Sequence, residues 1–178
     1  MTTDPRGWAL LLALTLVSGC GPQRAPAPLG GPAGDPSRSE PALSGDGRLL
    51  ASVIRLNGED QVLLQELPGG RVLPLPPLRG HGPHRSPSLS WNGRYVAVIL
   101  QRGARRQGVV LDRLSGRLQP LPTPAGAEPE GLSLAPDGQR IAMAVLERGR
   151  RRVRLLNLSG LLEPDQPPGQ TLTGGGPP

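Results

Sequence analysis

Two histidines, His81 and His84, stand three apart in Gly80-His81-Gly82-Pro83-His84. Imidazoles at this spacing are metal-ligand material, but a zinc site takes three or four ligands. These are the only histidines in the chain, and Cys20 is its one cysteine. The expectation is therefore a solvated loop, with neither a metal nor another cofactor. Ser86 and Ser88 follow His84 closely, yet a nucleophilic triad gathers its members from distant segments and requires an orienting acid. No Gly-x-Ser-x-Gly turn is present to expose a nucleophile. Glu128 and Glu130 are paired carboxylates two apart in a Pro-rich connector and read as solvated. The chain has no lysine, so a P-loop lysine is absent as well. On these residues a non-enzymatic chain is expected.

The charge that does cluster is arginine. Arg102, Arg105 and Arg106 form one group, and Arg148, Arg150, Arg151, Arg152 and Arg154 form a second. Guanidinium forks suit phosphate and carboxylate groups, so the two groups together are a candidate anion-docking patch. The net charge of +6 favours anionic neighbours such as lipid headgroups or polysaccharide. Arginine without lysine, beside abundant Gly, Pro, Ala and Leu, also reads as a coding bias. Past the first twenty residues the aromatics are Trp91 and Tyr95. Single-stranded nucleic acid needs aromatic stacking faces, so it is not an expected partner.

An internal repeat positions these groups. Ser44-Gly45-Asp46-Gly47-Arg48-Leu49-Leu50-Ala51 matches Ser90-Trp91-Asn92-Gly93-Arg94-Tyr95-Val96-Ala97, and Ala135-Pro136-Asp137-Gly138-Gln139-Arg140-Ile141-Ala142 matches both. The Asp/Asn-Gly pairs recur at intervals of 46 and 45 residues, the period of propellers and solenoids. Each pair reads as a tight two-residue hairpin, with Asn92 at a positive-φ position. An apolar strand follows it (49–56, 95–100, 141–146), then a polar tip at Gly58, Gly103 or Gly149. A third strand comes next (62–67, 109–114, 153–158), and a Gly-containing turn opens a fourth. Pro74, Pro120 and Pro164 each fall four residues past that turn's glycine. Proline belongs on an edge strand, which agrees with an outermost fourth strand. The expected fold is all-β: three four-stranded, propeller-like repeats at about 41–78, 87–123 and 129–163, forming a partial propeller or half of a dimeric ring. The two arginine groups then fall on equivalent hairpins of adjacent repeats, on one rim.

The turn motif with its following Ala51, Ala97 or Ala142 resembles the repeats of the TolB β-propeller family, over roughly residues 41–163. The resemblance implies a periplasmic propeller that acts through protein–protein contact. TolB-type proteins carry a six-bladed ring and an N-terminal α/β domain, whereas three repeats and no such domain are read here. The family's contact with peptidoglycan-associated lipoprotein transfers to no residue of this chain.

Leu16-Val17-Ser18-Gly19-Cys20 closes an apolar run that begins at Trp8 and is too short to span a bilayer. It resembles a bacterial lipoprotein signal, with residues 1–19 removed and Cys20 lipidated. That implies export and attachment to a membrane. Residues 20–40 are rich in Pro, Gly and Ala and read as a tether; twenty residues of extended Pro-rich chain reach roughly 60 Å. Residues 164–178 read as a disordered tail. An unidentified envelope protein and a second copy of the chain are the expected partners.

Overall fold

The computed structural model describes residues 37–165. The export segment, Cys20, most of the tether and residues 166–178 lie outside the described residues. Three antiparallel sheets follow one another, each a simple meander. The first contains β1 (Arg38–Leu43), β2 (Leu49–Leu56), β3 (Glu59–Glu66) and β4 (Val72–Leu73). The second contains β5 (His84–Leu89), β6 (Tyr95–Arg102), β7 (Arg105–Asp112) and β8 (Leu118–Pro120). The third contains β9 (Ala127–Leu134), β10 (Arg140–Glu147) and β11 (Arg150–Asn157). They are called blades 1, 2 and 3 below. The all-β, blade-like expectation holds. The first strands begin earlier than expected, at Arg38, His84 and Ala127, so Arg38–Glu40 belong to β1 and not to the tether.

Alternation along the strands divides each blade into two faces. One face of blade 2 presents Val96, Val98, Leu100, Val109 and Leu111 to Leu49, Ala51 and Leu64 of blade 1. Its other face presents Tyr95, Ala97 and Val110 to Leu134, Ile141 and Leu158 of blade 3. Blade 2 is thus covered on both sides. This is why β6 is an uninterrupted apolar run from Tyr95 to Leu100 rather than an alternating one.

The first strands of the blades are bonded to one another. Ser86 Oγ accepts the Leu132 amide and Ser88 Oγ the Leu134 amide, each at 2.8 Å. The Ser86 amide in turn donates to the Glu40 carboxylate. These serines hold blades 2 and 3 together. A bulge interrupts β1 between Ser39 and Ala42 and β5 between Arg85 and Ser88, with Glu40 and Ser86 at positive φ. β9 carries an irregularity opposite Ala144 and Val145.

Blade 3 departs from the expected script. Among the described residues it has three strands, and residues 158–165 after β11 turn back instead of pairing as a fourth. The Leu158 amide donates to the Gln139 carbonyl, and the Leu161 and Leu162 amides donate to Leu158. The Tyr95 hydroxyl donates to the Glu163 carbonyl at 2.9 Å, and Arg94 pairs with Glu163 at 2.9 Å. Asp165, expected in the disordered tail, is only 4% exposed. Its amide donates to Asp137, and its carboxylate takes the Ser90 hydroxyl and the Asn92 amide. Residues 158–165 therefore cross from blade 3 to blade 2. Gln139, Asp137, Ser90 and Asn92 of the blade 2 and blade 3 turns thus take up bonds from this segment. Of the three recurrent prolines, Pro120 ends β8 on the outer edge, Pro74 follows β4, and Pro164 lies in the crossing segment.

Candidate functional site

The repeat turns join neighbouring blades. In blade 1 the Gly47 amide donates to Ser44 O at 2.9 Å, and Asp46 Oδ1 accepts the Arg48 amide at 3.0 Å. The same Asx bond recurs from Arg94 to Asn92 at 2.8 Å and from Gln139 to Asp137 at 2.9 Å. That shared side-chain bond is the physical content of Asp or Asn at this position. The turn is not a two-residue hairpin: five residues separate the strands in each blade, and positive φ falls on Gly47, Gly93 and Gly138, not on Asn92. The two-residue hairpins are at the opposite ends of the strands. Asn57-Gly58 and Arg148-Gly149 each have positive φ at both positions, as a type I′ turn requires.

Each turn then reaches the next. Gly45 and Asp46 donate to the Ser90 and Trp91 carbonyls, and Trp91 donates to Pro136. A Cβ on Gly93 would overlap Leu49 Cδ1, and one on Gly138 would stand 2.7 Å from Tyr95 Cδ2. Leu49 and Tyr95 are equivalent residues of successive blades. The glycine is therefore required twice over, for its φ and for the close approach to the preceding blade. Gly47, with no blade before it among the described residues, has open space where a Cβ would go.

His84 is not in a solvated loop. It opens β5, is 4% exposed, and uses both ring nitrogens. Nδ1 accepts the Val62 amide at 3.1 Å, and Nε2 lies 3.1 Å from the Leu78 carbonyl, to which it donates. This is the neutral tautomer, bridging blade 1, its exit segment and blade 2. Burial holds its pKa below the ordinary histidine value, which the Leu78 bond only partly offsets. With both nitrogens occupied, His84 offers no free lone pair to a metal. Glu128 and Glu130 are on β9 rather than a connector, and Glu130 pairs with Arg151 at 2.9 Å.

The arginine groups have different surroundings. Arg102, Arg105 and Arg106, at the β6–β7 tip, line a cleft of about 600 Å³ with Thr123, Gly126 and Glu128 from the segment leading into blade 3. No carboxylate pairs with these three arginines among the described residues. In blade 3, Arg154 pairs with Glu147 at 2.7 Å, and Arg152 lies 3.7 Å from the same carboxylate. The Arg154 hydrogen bond pulls the Glu147 pKa below the usual carboxylate range, helped by the charges of Arg152 and Arg148. The cleft is lined by arginines of blade 2 and by none of 148–154.

The largest exposed apolar feature of the strands is the outer face of blade 3. Val153 and Leu155 of β11 are 73% and 70% exposed, beside Leu146 of β10. Leu155 pairs with Ala142, and its counterpart Val110 pairs with Ala97. Val110 is 1% exposed because blade 3 covers it. Leu155 presents the same surface with nothing over it among the described residues.

No family model matches the chain, and no curated protein matches it. Among solved structures, it is similar to TolB from Acinetobacter baumannii, with TM-score 0.57 and 19% identity over 68% of this chain and 30% of that one. It is similar to the putative TolB from Agrobacterium tumefaciens, with TM-score 0.58 and 20% identity over 72% of this chain and 46% of that one. It also resembles the β-propeller domain of the Trilobed protease from Pyrococcus furiosus, with TM-score 0.53 and 14% identity over 74% and 41%. The chain spans less than half the length of each of these structures. Its described residues form three consecutive blades of a TolB-like β-propeller.

Proposed function

We propose that this chain is a non-enzymatic propeller scaffold of the cell envelope, held to a membrane by lipid on Cys20 and working through protein–protein contact. The observation that carries this reading is the uncovered outer face of blade 3, where Leu155 is exposed at a position that is buried one blade earlier. Contiguous exposed apolar surface on a folded domain marks an interaction site. The reactive residue types support the non-enzymatic part. His84, Ser86 and Ser88 are each engaged in bonds between blades. The test is to solubilise the lipidated full chain from membranes in mild detergent and measure the mass of the particle. The wild type is expected in a complex larger than one chain, and Leu155→Arg as a single chain. Equal masses for the two would remove the blade 3 face from the account.

A second reading has its own observation, a cleft whose three arginines, Arg102, Arg105 and Arg106, make no ion pair among the described residues although Glu128 shares its lining. In this reading the cleft engages anionic lipid or polysaccharide of the envelope. Substituting Arg102, Arg105 and Arg106 together by Gln is expected to abolish binding to anionic vesicles at low salt. Exposed charge contacts are screened, so wild-type binding should itself weaken as salt rises. Salt-independent binding would contradict it.

A further inference from the structure

We infer that blade 3 binds an extended acidic segment of a partner protein along the outer edge of β11, as an added strand. This deepens the protein-contact reading above and rests on it. It concerns the backbone edge of the blade, where that reading concerned its outer face.

The edge is open among the described residues. Ala51, Ala97 and Ala142 are equivalent in the repeat and pair with Leu64, Val110 and Leu155 of the third strands. On its other side Leu64 pairs with Leu73 of β4, and Val110 with Gln119 of β8. Leu155 has no such neighbour, because β11 pairs with β10 alone. Residues 158–165 cross to blade 2 instead. The ladder gives the direction of the free groups. The Leu158 amide donates to the Gln139 carbonyl, on the β10 side. Backbone groups alternate sides along a strand, so those of Arg151, Val153, Leu155 and Asn157 point outward. Asp112, the blade 2 counterpart of Asn157, does the same, its amide donating outward to Arg117. A row of outward amides and carbonyls is a template for another strand.

Charge selects the occupant. β11 carries Arg150, Arg151, Arg152 and Arg154, with no acidic residue and no proline. The carboxylates of the blade's strands are on the other two, Glu147 on β10 and Glu128 and Glu130 on β9. Glu147 serves both Arg152 and Arg154, and Glu130 takes Arg151. A second β11 from another copy would set arginines against arginines, and like charges directly opposite destabilise a strand pair. An acidic strand meets opposite charge.

The two faces of β11 set the pattern. Val153 and Leu155 pair with Ala144 and Ala142 on the outer face and are exposed. Arg152 and Arg154 pair with Val145 and Met143 on the other face. An added strand lays alternate side chains beside each set. The segment that fits therefore alternates acidic residues, beside Arg152 and Arg154, with apolar ones, beside Val153 and Leu155.

The experiment titrates the full chain carrying Cys20→Ser with a labelled peptide of alternating Glu and Val, eight residues long like β11. Fluorescence anisotropy reads binding, and amide hydrogen exchange reads its place. Binding is expected, with exchange of the Val153 and Leu155 amides slowed by about tenfold or more. The Arg152 and Arg154 amides face β10 and should change little. A peptide of the same composition arranged as a Glu block and a Val block should not bind, nor should one of alternating Arg and Val. Val153→Pro removes an outward amide without removing a bond to β10, and should weaken the alternating peptide by about tenfold. Far-UV circular dichroism establishes that this variant is folded, and the peptide comparisons do not depend on it. Absence of binding overturns the proposal, as does equal binding of the block peptide or binding without slowed exchange at Val153 and Leu155. If the Leu155-dependent complex described above still forms in that case, strand addition fails while the protein-contact reading stands.

Discussion

Gly138 lies against the ring of Tyr95, so closely that a single added carbon would stand 2.7 Å from Tyr95 Cδ2. The same relationship joins Gly93 to Leu49 one blade earlier, while Gly47 faces open space. The three glycines share a left-handed φ near 70° and differ in what they touch. Gly47→Ala is expected to lose about 1–2 kcal/mol, the cost of that φ for a residue with a Cβ. Gly138→Ala should lose about 1–3 kcal/mol more, the usual range for overpacking. Urea unfolding of both variants checks this. Equal losses would mean the glycine serves the turn alone.

Asp165 ties the end of the described chain to blade 2 through Ser90 and Asn92. Asp165→Ala removes the acceptor of the Asn92 amide and leaves the Ser90 hydroxyl only its long 3.4 Å bond to the Tyr95 carbonyl, and is expected to cost about 1–3 kcal/mol. Asp165→Asn keeps an acceptor oxygen and should recover most of the loss. An alanine variant as stable as the wild type would mean residues 158–165 do not dock as described.

His84 makes stability depend on pH. Its folded pKa is below the unfolded value of about 6.5, so the unfolded chain takes up a proton first as pH falls. Its contribution is whole above about pH 6.5 and declines as pH drops below that, toward the folded pKa. His84→Gln can donate and accept the same two bonds without titrating. Between pH 7.5 and 5 the wild type should lose more stability in denaturant melts than His84→Gln does. Parallel curves would place the pH response elsewhere.

Cys20→Ser is expected to move the protein from the membrane to the soluble fraction while leaving its unfolding midpoint unchanged. Residues 21–37 separate Cys20 from β1. Fractionation with a melt on the released protein measures both. Continued tight membrane association of the variant would contradict lipid anchoring.

The blades were legible because each is written locally. Asp46, Asn92 and Asp137 recur with their glycines, and the apolar run at 95–100 marks a strand covered on both sides. The failures are where a distant residue decides. Asn92 and Gly93 were given the φ of a two-residue hairpin, but the left-handed residue is the glycine and the Asn acts through its side chain. Pro164 matched Pro74 and Pro120 in spacing, yet Asp165 finds Ser90 and Asn92, far away in sequence, and this pulls the segment out of any fourth strand. His84 read as solvated because nothing next to it in sequence announces Val62 and Leu78. Arg102, Arg105 and Arg106 were visible as a cluster. That residues of 121–128 line a cleft with them, and that Glu130 and Glu147 engage the blade 3 arginines, required the strands to be paired.

The central claim is that blade 3 meets a protein through the face bearing Leu155. A photo-reactive amino acid placed at position 155 in intact cells tests it most directly, with position 114 as control, because Leu114 is equally apolar and 77% exposed at the β7–β8 turn. The account predicts a discrete cross-linked protein adduct from position 155 and none from position 114. Adducts of equal yield from both positions, or none from 155, would contradict it.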